Sequence, residues 1–271
     1  MLGLARPAAP PAPALTAPPP APGAGPLRPM LSVLALIGVW AAGAALLDDP
    51  LRAPGPAQVL PALWEGLASG RMWADLGATL GRVAAAFVLA MGLGTALGIG
   101  LGLSRRANDW LDPWLTVWNN IPALVLIVLC YLWIGLNETA AIAAVALNKV
   151  PLVAVILREG VQARDPALAE MARAFRMAPL ARLRHILLPQ LVPHLLAAAR
   201  AGVSLIWKIV LVVEFLGRSN GIGFRIHLNF QMFDITGVLA NALAFVAVML
   251  AVEWLVLAPL ARRATGWRAA A

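Results

Sequence analysis

The chain has 271 residues, of which 61% are hydrophobic and only 13% charged. Soluble domains run nearer half apolar and a quarter charged, so this composition points to a bilayer. The formal net charge of +8 does not indicate nucleic acid, because the arginines are spread over short links between apolar runs rather than gathered on one face. A single cysteine, Cys130, inside an apolar run, excludes an intrachain disulfide and a cysteine metal cluster and reads as a small buried hydrophobe.

Residues 1–29 are a Pro/Ala tract with Arg6 and Arg28 as its only charges. Proline removes backbone donors and fixes φ, which predicts an extended or disordered tail. It does not read as a cleaved leader, since the first apolar run lies too far from the start. Six apolar segments follow: Leu31–Leu47, Val83–Leu103, Ile121–Leu136, Ala140–Leu157, Leu195–Leu216 and Gly237–Leu260. A helix crossing the hydrocarbon core needs about 20 residues, so the third and fourth are short.

Cytoplasmic links retain excess Lys and Arg. With the N-terminus inside, the inner segments hold Arg6 and Arg28, Arg105 and Arg106, six arginines from Arg158 to Arg184, and Arg262, Arg263 and Arg268. The outer segments hold fewer, among them Arg52, Arg71, Arg218 and Arg225. Both termini are therefore assigned to the cytoplasm.

Between the first two spans, the stretch from Pro54 to Val83 reads as short helices lying along the outer surface and then turning inward. The second span carries Gly94, Gly98 and Gly102 at four-residue spacing, on one face where another backbone can approach. No GK[ST] follows these glycines and no strand precedes them, so helix packing is favoured over a phosphate cradle and no nucleotide site is recognised. Trp110, Trp114 and Trp118, beside Arg105 and Arg106, suit an interfacial elbow leading into the third span.

The stretch Asp165–Pro193, DPALAEMARAFRMAPLARLRHILLPQLVP, interrupts two apolar runs with charge. Asp165 suits a helix cap followed by Pro166 at the first helical position. Leu168, Met171 and Phe175 then form one apolar stripe, with Glu170, Arg173 and Arg176 on other faces. A second helix is predicted to begin at Pro179 and to stop at Pro189, with Pro193 opening the fifth span. Two amphipathic helices of this kind suit docking onto a protein or, alternatively, rest on lipid.

Within the fifth span, Arg200, Lys208 and Glu214 fall inside one arc of roughly 120°. Charges at bilayer depth normally face a bundle interior or a wet cavity. Two readings stay open: a solute path lined by these residues, or Arg200 snorkelling to the boundary while Lys208 and Glu214 pair with other spans. Lys149 in the fourth span is a candidate third cation, and an excess of cations favours an anionic solute. Glu253 in the last span is read as a partner within the bundle.

The pattern E-x-A-x(16)-P formed by Glu170, Ala172 and Pro189 resembles the cytoplasmic loop of ATP-binding-cassette importer permeases. The stretches LGATLGRVAAAFVLAMGLGTALGIGLGLSRR, IPALVLIVLCYLWIGLNE and SLIWKIVLVVEFLGRSNGIGF extend the resemblance to roughly Leu60–Arg263, closest in character to permeases of the nitrate, sulfonate and taurine group. The resemblance implies an all-α membrane protein of the type I importer permease fold, in a bacterial inner membrane, with about six transmembrane helices. It also implies a division into a tail (1–29), a first span with an outer amphipathic segment (30–75), a permease core (76–260) with a coupling loop (162–190), and a C-terminal tail (261–271).

Implied partners are ABC ATPase subunits that bind the ATP, a periplasmic or lipoprotein solute-binding protein, a second permease copy and membrane lipid. No cofactor of its own is expected. The residues implied for ATPase coupling are Glu170, Ala172, Phe175, Arg176 and Pro189. Those read as lining the path are Lys208, Glu214, Arg200 and Lys149.

The family usually places glycine where this chain has Arg176, six residues after the loop glutamate. A left-handed non-glycine residue costs on the order of 1–2 kcal/mol, which predicts that the turn shifts to Met177–Ala178. Met171 also replaces the first loop alanine. Rival readings are an ion-gradient-driven secondary transporter, for which Glu214 and Glu253 are the available carboxylates and no repeat is evident, and a membrane enzyme. The enzyme reading ranks last, because HExxH and GxSxG are missing and His185, His194 and His227 are scattered.

Overall fold

The computed structural model describes residues 27–259; residues 1–26 of the predicted N-terminal tail and the C-terminal tail, with Arg6, Arg262, Arg263 and Arg268, lie outside the described residues, whereas residues 27–29 of that predicted tail are helical and open α1. All its regular elements are helical: α1 Leu27–Leu47, α2 Pro56–Ala68, α3 Arg71–Leu103, α4 Arg105–Asn119, α5 Ala123–Ile134, α6 Glu138–Gln162, α7 Pro166–Ala174, α8 Pro179–Arg182, α9 Leu188–Gly217, α10 Ile222–Gln231 and α11 Ile235–Val252. Five helical stretches are long and apolar enough to cross a membrane, and a bent pair makes up to six.

The core is built on α3, α6 and α9. The 33 residues of α3 cover about 50 Å at 1.5 Å per residue, longer than a hydrocarbon core of roughly 30 Å. Its apolar part from Val83 to Leu103 matches the core, and its first turns carry polar residues. The helix runs without a break across the division predicted after residue 75. Gly94, Gly98 and Gly102 face α6: a Cβ at Gly94 would stand 2.6 Å from Val153 Cβ, at Gly98 2.5 Å from the Ala154 carbonyl oxygen, and at Gly102 2.5 Å from Val161 Cβ. A ladder of missing side chains thus lets the two helices approach along three turns.

The third span is not one straight helix. The pair α4 and α5 bends by 91° at Asn120–Pro122, so α4 forms the elbow on which Trp110 and Trp114 stay exposed. The 12 residues of α5 cover about 18 Å, too little to cross alone. Arg158 of α6 holds the elbow in place through Asp112 and, at 3.3 Å, Asn108. Tyr131 of α5 donates to the Val213 carbonyl of α9 at 2.8 Å.

The fifth span differs most from expectation. No stop occurs at Pro189, and Pro193 sits within a helix: the chain is helical from Pro179 to Gly217, 39 residues, through a π turn at Leu183–Leu187. In a regular helix the Pro189 ring would meet the carbonyl four residues earlier. The wider π turn just before it gives that ring room, so the rod continues.

Candidate functional site

The loop between α6 and α9 is tied down at its start. The Asp165 carboxylate caps α7 by accepting from Ala167 N at 2.8 Å, and Gln190 Oε1 accepts from Asp165 N at 3.0 Å, linking the cap to the base of α9. Ala172 is buried at 1% exposure, whereas Leu168, Met171, Phe175 and Leu180 are exposed, Phe175 at 77%. The predicted apolar stripe is therefore present and presented outward, with Glu170 exposed beside it.

The turn does not shift to Met177–Ala178. Arg176 itself is left-handed, with φ of 49°. Arg176 N donates to Arg173 O and Met177 N to Ala172 O, both at 3.0 Å, the paired pattern that closes helices ending in a left-handed residue. Two hydrogen bonds that satisfy otherwise orphaned carbonyls outweigh a strain of about 1–2 kcal/mol, and Pro179 starts the next helix two residues on.

The four residues read as a path are not brought together. Lys208 is exposed on α9 and has no carboxylate within ion-pair distance among the described residues. Lys149 is half-buried on α6. Arg200 does not stand alone: its Nε lies 3.7 Å from Glu253 Oε1, so Glu253 pairs within the bundle. Glu214 is fully enclosed at 0% exposure, bound to Arg82 of α3, which is 3% exposed. A carboxylate sealed inside one chain does not face a solvent-lined route, so the pairing reading applies to Glu214.

Glu214 belongs to a polar network that the sequence reading did not find. Asp75, Thr79 and Arg82 lie four and three residues apart on one face of α3. Arg82 Nη1 donates to Glu214 Oε1 at 2.6 Å, Arg82 Nε donates to Glu138 Oε1 at 2.6 Å, and the guanidinium also reaches the Asn220 side chain. Arg218 pairs with Glu138 Oε2 at 2.7 Å.

The backbone N–H groups of Gly221, Ile222 and Gly223, which open α10, donate to Asp75 Oδ1 at 3.0 Å, Thr79 Oγ1 at 3.0 Å and Glu214 Oε2 at 2.9 Å. These are the orphan donors every helix start must satisfy. The dipole of α10 also favours the carboxylates. Gly221 has φ of 103°, and a Cβ there would fall 2.5 Å from the Glu214 carboxyl carbon, so only glycine fits. Arg225 then returns to Asp75 Oδ2 at 2.6 Å. The available signal was the spacing of Asp75, Thr79 and Arg82 at the head of an apolar helix.

The network and the α7 loop lie at opposite ends of α3, α6 and α9. One end is a closed ionic lock and the other an exposed apolar stripe on a pinned helix. Among the described residues no group of three His, Cys, Asp or Glu side chains converges on a metal-sized site.

Residues 60–263 match the family described as the binding-protein-dependent transport system inner membrane component. The chain is 32% identical to the aliphatic sulfonates transport permease protein SsuC of Escherichia coli (strain K12), over 72% of this chain and 74% of that one. It is 28% identical to the taurine transport system permease protein TauC of the same organism, over 86% of each. It is 29% identical to the riboflavin transport system permease protein RibX of Chloroflexus aurantiacus, over 88% of this chain and 89% of that one.

Among solved structures, the fold matches a chain of an amino acid ABC transporter crystallised with histidines, with TM-score 0.60 and 22% identity over 74% of this chain and 97% of that one. It matches a chain of the inward-facing MetNI methionine ABC transporter with TM-score 0.63 and 17% identity, over 75% of this chain and 98% of that one. These are type I importer permease folds, and the ion-gradient carrier reading finds no support among them.

Proposed function

Because the chain belongs to the family of binding-protein-dependent transport system inner membrane components, we propose that it is the membrane-spanning subunit of an ATP-driven importer in a bacterial inner membrane. It hydrolyses nothing itself. Partner ATPase subunits bind the ATP and drive the spans through α7, a second permease copy completes the gate, and a solute-binding protein delivers cargo at the opposite end. The observation that carries this reading is the outward-facing stripe Leu168, Met171 and Phe175 on a helix pinned by Asp165 and Gln190. An apolar face held rigid and left uncovered within its own chain suits a protein partner.

The solute class we propose is a small organic anion of the sulfonate or taurine kind. The names of SsuC and TauC support it, as does Lys208, an exposed cation without an ion-pair partner among the described residues. RibX shows that relatives of similar identity are named for other cargo, so the class needs its own measurement: binding of taurine, alkanesulfonates and riboflavin by the cognate solute-binding protein.

The coupling role is tested by Glu170→Lys in the assembled complex. Reversing one interfacial charge should lower solute-stimulated ATP hydrolysis by about tenfold, the effect of roughly 1.4 kcal/mol at the contact. Undiminished hydrolysis with the ATPase still bound would remove Glu170 from the coupling contact.

A further inference from the structure

We propose that the arginine-lined hollow between the start of α7 and the base of α9 binds the phosphate group of an anionic lipid. The cavity measures about 390 Å³ and is lined by Arg164, Arg173 and Arg182, with Leu103 at the end of α3 as part of its apolar wall. It adjoins a second hollow of about 660 Å³ that shares Arg164 and Arg173 and adds Arg105 from the start of α4. None of these four arginines has a carboxylate within ion-pair distance among the described residues; the ion pairs there belong to other arginines. Asp165, which also lines the first cavity, is engaged as the cap of α7. Asp109 in the second leaves cations in excess.

Guanidinium groups unmatched by protein carboxylates are the usual receptors of phosphate oxygens, which they bind through paired N–H donors. Depth selects the source. Leu103 closes the 21-residue apolar part of α3 that begins at Val83 and covers about 32 Å, close to a hydrocarbon core, so the hollow sits at the level of lipid headgroups. Exposed Trp110 and Trp114 on α4 mark the same boundary beside it. Basic pockets at the ends of membrane helices suit acidic headgroups. The apolar wall would take the first methylenes of an acyl chain, which a free phosphate lacks.

The test uses the assembled transporter in vesicles of phosphatidylcholine with or without phosphatidylglycerol, and native mass spectrometry of the lipid retained on extraction. The wild type should retain phosphatidylglycerol, and R164Q/R182Q should weaken that retention about 30-fold, the loss expected for two arginines at an anionic surface. R164K/R182K, which keeps both charges but loses the paired guanidinium donors, should recover part of it, separating loss of charge from misfolding. Equal retention by the wild type and R164Q/R182Q would overturn the site. Equal protection of the wild type from thermal unfolding by inorganic phosphate and by phosphatidylglycerol would overturn the lipid as source. Unchanged lipid retention with loss of the ATPase subunits from R164Q/R182Q would assign these arginines to the ATPase contact and sink the proposal.

Discussion

Arg82 and Glu214 are the two charges on which the helix ends far from α7 depend. Both are buried, at 3% and 0% exposure, and each reaches further partners: Glu138 and Asn220 for Arg82, Thr79 and Gly223 N for Glu214. Removing one member of such a pair leaves its partner's charge enclosed and uncompensated, which costs about 3–5 kcal/mol. Glu214→Gln should therefore lower the thermal midpoint of the purified protein in detergent far more than Arg52→Gln. The Arg52–Asp49 pair is open to solvent and worth at most about 1 kcal/mol. Equal midpoints for the two variants would mean that the network is ornamental. At this scale Glu214 was legible as an unusual charge in a span, but its partner was not. Arg82 stood at the edge of an apolar run, where an arginine passes for a boundary residue, and only the packing of α3 against α9 turns it inward.

At the scale of elements, much of the helical order could be read from pattern, because apolar period, caps and proline positions all act locally. Asp165 and Pro166 start α7 where their chemistry requires. The spacing of Gly94, Gly98 and Gly102 marked a close-approach face before the partner helix was known. What escaped reading was continuity. A proline ordinarily ends a helix, and nothing local in LRHILLPQ announces that a π turn will absorb Pro189. The turn at Arg176 escaped for a related reason: two closing hydrogen bonds, not intrinsic preference, decide it. The glycine face makes a sharp prediction. Gly98→Ala would drive a Cβ to 2.5 Å from the Ala154 carbonyl oxygen, whereas Gly100→Ala meets nothing within 4 Å. The first should destabilise by about 1–3 kcal/mol through overpacking, and the second should be neutral or mildly stabilising because alanine favours helix. Thermal denaturation of the two variants side by side checks it, and matching midpoints would mean that α3 and α6 are not held at this distance.

Across the whole molecule, α9 is the element that joins the two ends. Its helical rod begins at Pro179 beside the exposed α7 and finishes at Gly217, where Glu214 enters the ionic lock. A displacement applied at the α7 end is thus carried by a stiff helix rather than lost in a loop. Between the two ends, Arg200 is engaged by Glu253, which leaves Lys208 as the exposed charge of α9 without an ion-pair partner among the described residues. An ammonium kept at bilayer depth without a partner is costly, by at least about 2.5 kcal/mol, so its retention suits contact with a wet cavity and a passing anion. Lys208→Met removes the charge and keeps most of the side chain's length. In proteoliposomes with the ATPase and the loaded solute-binding protein, it should lower uptake of an anionic solute by about tenfold, equivalent to losing roughly 1.4 kcal/mol of favourable charge along the route. Assembly should be unaffected, because Lys208 makes no ion pair that holds helices together among the described residues. Glu253→Gln, which frees Arg200 to present a second cation on the same helix, should shift uptake far less. If uptake survives Lys208→Met intact while a neutral solute of equal size is carried no better, the charge on α9 serves packing at the lipid surface and the route runs along another face.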